Sequence, residues 1–216
     1  MARMAAAQVL SRHSAWLKNC LAAARSLGFV SACVCGLTGG LLADSLLAQE
    51  PAAPATKTLR APDVEYEPSE MRVVRAMLRL AKVDKNDVVY DLGCGDGRVV
   101  ITAIREFGAR GVCVDIDPKR TAETRANAAR AGTGSRIEIR TEDMFQTEIV
   151  GASVVMLFLW PEVNLKLRPT LQKVLSPGTR VISHYHDMGN WKPERVQRVT
   201  VEGDSHPVYR WTVPAR

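Results

Sequence analysis

Val88-Val89-Tyr90-Asp91-Leu92-Gly93-Cys94-Gly95-Asp96-Gly97-Arg98, residues 88–98, is the stretch on which the reading of this chain turns. Val88-Val89-Tyr90 is a short β-prone run, and three glycines follow at 93, 95 and 97. Arg98 to Phe107 is then helix-compatible and is stopped by Gly108. A strand that feeds a helix through a glycine loop is a βα unit. Glycine there lets the backbone come close to a ligand, and ligands of open α/β sheets sit at the carboxyl ends of the strands. Gly93, Gly95 and Gly97 are therefore candidate ligand contacts.

The same alternation runs downstream. Gly111 to Val114 reads as a strand, Pro118 to Ala131 as a helix closed by Gly132, and Ile137 to Arg140 as a strand. Val154 to Leu159 is a fully apolar strand, a helix runs to about Leu175 despite Pro169, and Arg180 to Ser183 is the fifth strand. Upstream, Ser69 is positioned to cap a helix over about 69–82, whose apolar residues Met71, Val74, Met77, Leu78 and Ala81 share one face. The last segment departs from the pattern. Val196 to Val201 and Val208 to Val213 are β-prone, and residues 202–207 between them leave no room for a helix, so they predict an antiparallel hairpin. The expected fold is α/β, doubly wound and Rossmann-like, with a mostly parallel seven-stranded sheet ending in that hairpin.

Charge separates the possible ligands. A dinucleotide loop prefers G-x-G-x-x-G, but Arg98 stands where the third glycine belongs and Gly97 comes one residue early. Asp91, at the end of the first strand, would repel a pyrophosphate and attract a cofactor that carries an amine and a sulfonium. S-adenosylmethionine meets that requirement.

Asp91-Leu92-Gly93-Cys94-Gly95-Asp96-Gly97 resembles motif I of the class I S-adenosylmethionine-dependent methyltransferases, and the resemblance extends from about Glu65 to Pro214. It implies that Asp115, in Val114-Asp115-Ile116-Asp117, bonds both ribose hydroxyls, a task suited to a carboxylate. It also implies that Asp143, in Glu142-Asp143-Met144, receives the adenine amino group. Val64-Glu65-Tyr66-Glu67-Pro68-Ser69, Leu159-Trp160-Pro161-Glu162-Val163-Asn164 and the segment Ser183 to Trp191 look like a bacterial branch of the protein-lysine methyltransferases of the ATP-synthase c-subunit type. That likeness implies that Tyr66 contacts the cofactor and that the acceptor is a protein lysine. Where the lysine enzymes carry an Arg-Phe-Pro type segment, this chain has His184 to Met188.

Several acceptor readings stay open on residues alone. The fourth strand is not followed by Asn/Asp-Pro-Pro-Tyr/Phe, which disfavours adenine or amide methylation. Glu162 is the nearest carboxylate, but Pro161-Glu162 is also an ordinary helix start, so no catalytic base is assigned. His184 and His186 form a pair with no third ligand, and no metal is expected. Trp160 and Trp191 read as core or lid residues. A small-molecule O- or N-methyltransferase, a cofactor-binding module without turnover, and a nicotinamide-dependent oxidoreductase are the alternatives.

The 216 residues, 46% hydrophobic and 24% charged, suffice for one well-buried core plus an extension. Half of the net charge of +6 lies in residues 1–48, where Arg3, Arg12, Lys18 and Arg25 face only Asp44. No Lys/Arg run with interleaved aromatics follows, so no nucleic-acid partner is expected. Ser26 to Ala43 is apolar or small throughout, which makes residues 1–48 a signal peptide or N-terminal membrane anchor, 49–64 a linker and 65–216 the methyltransferase domain. Residues 26–43 would give membrane association or export. The alternative is a cytoplasmic protein, since S-adenosylmethionine is made in the cytosol. The five cysteines, Cys20, Cys33, Cys35, Cys94 and Cys113, read as neither a disulfide framework nor a zinc site.

Overall fold

A computed structural model describes residues 59–215. The leader and most of the linker lie outside the described residues, and with them the expected signal or anchor. β1 (Val88–Leu92) is central, because its Val-Val-Tyr-Asp-Leu sequence is almost wholly buried and can be covered on both sides. It pairs in parallel with β2 (Arg110–Asp115) and β4 (Val154–Leu157). β3 (Ile137–Thr141) extends the sheet beyond β2, and β5 (Arg180–His184) extends it beyond β4. β7 (Asp204–Thr212) then runs antiparallel to β5, and β6 (Arg195–Val201) closes the edge. The strand order is β3-β2-β1-β4-β5-β7-β6, so the order reverses between β1 and β4 and opens a crevice at their carboxyl ends.

Helices cover both faces. α1 (Met71–Leu80) and α2 (Arg98–Phe107) bury Val73, Met77, Leu78, Val99 and Ala103 against Met156, Ile182 and Val208. α4 (Pro161–Val174) presses Leu167 and Leu171 onto the opposite face with Leu157, Val181 and Trp211. α3 (Pro118–Arg130) starts at a proline, with the Asp117 side chain accepting from the Lys119 amide at 2.8 Å as its cap. Among the described residues no helix is long and apolar enough to cross a membrane.

The expected fold is the observed one, with three local corrections. Ser69 is not an N-cap. α1 begins at Met71 behind Glu70, and the buried Ser69 hydroxyl bonds His184 Nδ1 at 2.9 Å. β4 stops at Leu157, and Phe158 and Leu159 turn out of the sheet toward the crevice. The hairpin loop is Glu202-Gly203 alone, with φ of 50° and 98°. Val201 pairs with Asp204, so residues 204–207 are strand, not loop. Two adjacent residues in the left-handed region match the twist of the flanking strands, and that tight turn takes precedence over a six-residue loop.

Candidate active site

The glycine loop is held from three sides. The Gly93 and Cys94 amides donate to the Val114 carbonyl at 2.8 and 3.1 Å, and the Gly95 amide donates to Asp115 Oδ2 at 2.8 Å. The Thr124 hydroxyl on α3 donates to the Gly95 carbonyl at 2.8 Å. Gly95 and Gly97 have φ of 56° and 78°, a region that side chains with a Cβ seldom enter. A Cβ at Gly95 would lie 2.3 Å from the Tyr66 ring, and one at Gly97 would lie 2.5 Å from Thr124 Cγ2. The loop is therefore packed by Tyr66 above and α3 behind.

Beside it lies a cleft of about 500 Å³, in the size range of cofactor sites. Gly93, Asp115, Met144, Phe158 and Leu159 line it, and the strap of residues 62–67 crosses one side. Tyr66 is half-exposed, and Arg120 lies over its ring at 4.5 Å. The structure thus brings Tyr66, Gly93 and Asp115 to one cleft, with Asp91, Gly95 and Gly97 in the adjoining loop.

The acids differ in what they lack. Asp91 is buried, and no described side chain donates to its carboxylate. Burial, then the charges of Asp115 and Asp96, push it up to about 8. A buried carboxylate without a counter-charge is a site for a cation. Asp115 is also raised, chiefly by burial, while the Asp117 and Gly95 amides hold it partly down at 2.9 and 2.8 Å. Each of its oxygens keeps a lone pair for a ribose hydroxyl. An amine-bearing, sulfonium-bearing nucleoside fits this donor and acceptor set.

Asp143 stands apart. It is buried but does not line the cleft, and Arg60 clamps it through Nε at 2.7 Å and Nη2 at 2.9 Å. The guanidinium keeps Asp143 below the usual carboxylate range. Phe145 donates its amide to Asp143 Oδ1 at 3.0 Å, and the Arg60 guanidinium also lies over the Phe145 ring at 5.3 Å. The adenine role thus competes with an arginine from residues expected to be linker, and Val64 from the same stretch packs on the core. Arg60 anchors the strap. Arg60→Ala is expected to weaken S-adenosylmethionine binding about three- to tenfold, mainly in the dissociation rate, with a stability loss of roughly 1 kcal/mol or less. Stopped-flow cofactor binding measures it, and an unchanged dissociation rate would show the strap is held without Arg60.

At the other end of the cleft Phe158 packs on the buried His184, ring centroids 4.1 Å apart. His184 Nε2 in turn meets His206 Nδ1 at 3.1 Å. Burial, then His206 and His186, push His184 down to about 4. Tyr185 has φ of 70°, and the His186 amide donates to the His184 carbonyl at 2.8 Å, a γ-turn in its strained form. That turn ends the strand alternation between His184 and His186. Among the described residues no cluster of three or more metal-ligating side chains could hold an ion. Glu162 is in the exposed first turn of α4, and Asn164, fully buried, holds the loop through the His186 and Asp187 carbonyls at 3.2 and 3.3 Å. Trp191 packs on Trp211, whereas Trp160 is exposed.

Cys94 and Cys113 form a disulfide, which corrects the expectation that the five cysteines form no disulfide framework. β1 and β2 pair Asp91 with Cys113, so the bond ties the cofactor loop to the strand that carries Asp115. Arg60, Arg120, Ser69 with His184 and His206, and this disulfide were all missed by sequence reasoning. For the cysteines a signal existed in their placement, one in the glycine loop and one in the adjacent strand.

Known proteins agree with this geometry. The model of the ANTKMT methyltransferase domain matches residues 91–195. The chain is 42% identical over 153 residues to a protein-lysine N-methyltransferase of Saccharolobus islandicus, spanning 70% of this chain and 95% of that protein. It is 30% identical over 162 residues to the lysine N-methyltransferase of the ATP-synthase c-subunit from Xenopus laevis, spanning 74% and 70% of the two chains. The solved structure of an RNA methyltransferase from Salinibacter ruber in complex with S-adenosyl-L-homocysteine is similar at a TM-score of 0.66 and 51% identity, over 69% of this chain and 95% of that one. With a cleft built for the same cofactor, the chain belongs to the class I S-adenosylmethionine-dependent methyltransferases, in the family of the ANTKMT methyltransferase domain.

Proposed function

We propose that the domain transfers the methyl group of S-adenosylmethionine to the ε-amine of a lysine in a protein. The observation that carries this reading is the 42% identity along 95% of a protein-lysine N-methyltransferase, in a chain whose own cleft adjoins a loop with a buried carboxyl group suited to the cofactor. The Xenopus relative is also named for a protein lysine acceptor. Catalysis then consists of holding donor and acceptor in line and delivering the amine without its proton.

A second reading has its own support, because the Salinibacter ruber protein is titled an RNA methyltransferase. Against it, the sequence carries no Lys/Arg run with interleaved aromatics, and Arg60, Arg75, Arg98, Arg140 and Arg180 are each paired with an acid: Asp143, Glu106, Asp96, Glu138 and Asp87. Incubating the protein and methyl-tritiated S-adenosylmethionine with total protein and total RNA from the source cells separates the two. Label that is protease-sensitive and elutes as methyl-lysine after acid hydrolysis is expected; label confined to RNA or small molecules would sink the lysine reading. Membrane attachment through residues 26–43 is a separate proposal, tested by whether the native protein sediments with membranes and is released only by detergent.

A further inference from the structure

The hairpin and the end of β5 build a feature that the cofactor cleft does not use. β5 pairs with β7 only as far as His184 opposite Val208, so the earlier half of β7 projects past the carboxyl end of β5. His206 is two residues before Val208 and shares its face of the sheet. It therefore sits on the edge where ligands of open sheets bind. A chain of contacts leads to it from the cleft wall. Phe158 packs on His184, His184 bonds Ser69 Oγ on one ring nitrogen and His206 on the other, and Tyr185 stands edge-on to His206 with centroids 5.7 Å apart.

We propose that His206 is the group that takes the proton from the methyl acceptor, with His184 and Ser69 as positioning residues that fix its tautomer. This rests on the lysine reading above. Of the two tautomeric arrangements these contacts allow, the one that serves this role has His206 Nδ1–H donating to His184 Nε2 and His184 Nδ1–H donating to Ser69 Oγ. His206 Nε2 is then left with a free lone pair. His184 stays neutral because burial holds it down, so it can serve as that acceptor throughout the working pH range.

The step balances without any further reactant. A lysine ammonium that enters beside Phe158 and Tyr185 leaves water, which lowers its pKa toward that of an imidazole. Its N–H bond breaks and the proton moves to His206 Nε2, giving a neutral amine and an imidazolium whose Nδ1–H still donates to His184. Bound S-adenosylmethionine would supply an electrophilic methyl: the freed lone pair forms the N–C bond as the methyl–sulfur bond breaks, the electron pair of that bond stays on sulfur, and S-adenosylhomocysteine leaves beside the methylated ammonium. The proton on His206 then goes to solvent.

The strained turn is an independent observation on the same spot. A non-glycine residue at φ 70° is strained and persists only where the surroundings hold it. The surroundings here are the Tyr185 amide donating to the Pro207 carbonyl at 2.8 Å and the His186 amide on His184. The product is a half-exposed Tyr185 ring against His206, able to face an ammonium and its methylenes. The other titratable or charged groups on the elements around His206 are His186, whose ring lies 5.4 Å from that of Tyr185, Asp204 on the same face of β7, and Arg72 of α1, which reaches the Thr200 carbonyl on β6.

The test uses the full chain, methyl-tritiated S-adenosylmethionine and total protein from cells lacking it, with lysine label read at each pH. The wild-type rate should rise with pH and then level. His206→Gln should lower kcat about 100-fold at pH 7, a defect that closes as pH rises toward that of free lysine, with cofactor affinity by calorimetry unchanged. Tyr185→Gly should raise the KM for protein while melting no lower than wild type, since it removes the strain. Imidazole NMR should show His184 neutral at pH 6. A variant profile parallel to wild type, or a His184 that is charged at pH 6, overturns the role of His206 and leaves the lysine reading in place. Label absent from lysine in the wild-type reaction overturns both.

Discussion

Asp91→Asn is expected to leave the domain folded and to weaken S-adenosylmethionine binding by at least about 100-fold, on the order of 3 kcal/mol. The exchange keeps the shape and removes the charge. Asp91 is buried at the end of β1 with no described side chain donating to it, so its charge is held in reserve for a cationic ligand. Its folded pKa of about 8 lies above its ordinary 3.8, chiefly through burial. Below about pH 4 the group is protonated in both states and costs nothing; between 4 and 8 only the unfolded chain gives up the proton, so the penalty on the folded state grows, and it is full above 8. The ligand-free Asn variant should therefore melt higher than wild type at pH 8, by about 2–4 °C for each kcal/mol relieved, and alike at pH 4. Binding has the complementary profile. Wild-type affinity should fall up to tenfold per pH unit below about 8, because the ligand must first find Asp91 ionised, and the variant should lose that slope. Calorimetry from pH 6 to 9 reads both, and an unchanged affinity in the variant would remove Asp91 from the cofactor site.

The fold and the cofactor loop were legible because both are local. Strand and helix periods, the glycines at 93, 95 and 97 and the order of the acids can be read within short windows, and the structure lays them along one sheet edge. What was misread depends on partners far away in sequence. Ser69 has every local property of an N-cap, but His184 lies 115 positions later and takes its hydroxyl. Arg60, equally out of reach of a local window, clamps Asp143 from 83 positions earlier, in a stretch that composition marks as linker. The strand nature of residues 204–207 was hidden by Gly203 and Pro207, which signal a loop locally. The pairing of these residues with β6 outweighs that signal, and Pro207, without an amide hydrogen, still contributes by accepting from Tyr185 through its carbonyl. The histidine chain is the extreme case, since it needs α1, β5 and β7 together.

Gly97→Ala should be the most destabilising change in the loop, and its contrast with Gly95→Ala separates structure from function. At 97 a methyl group would meet Thr124 Cγ2 at 2.5 Å, and Thr124 is fully buried on α3 with its hydroxyl committed to the Gly95 carbonyl. Neither partner can yield. The left-handed φ of 78° adds about 1–2 kcal/mol for alanine, and the overlap brings the loss to roughly 3 kcal/mol. At 95 the methyl group meets the Tyr66 ring at 2.3 Å, but that ring is half-exposed and borne on the strap, so it can swing outward. Gly95→Ala should then cost only the backbone term, about 1–2 kcal/mol, yet weaken the cofactor by roughly tenfold because the strap no longer closes on the loop. Tyr66→Ala placed on Gly95→Ala should bring no further loss of affinity, since both act through one contact. Thermal melts with calorimetry on the three variants decide it. Equal stability losses at 95 and 97, or additive affinity losses in the double variant, would mean that Tyr66 and the loop bind the cofactor independently.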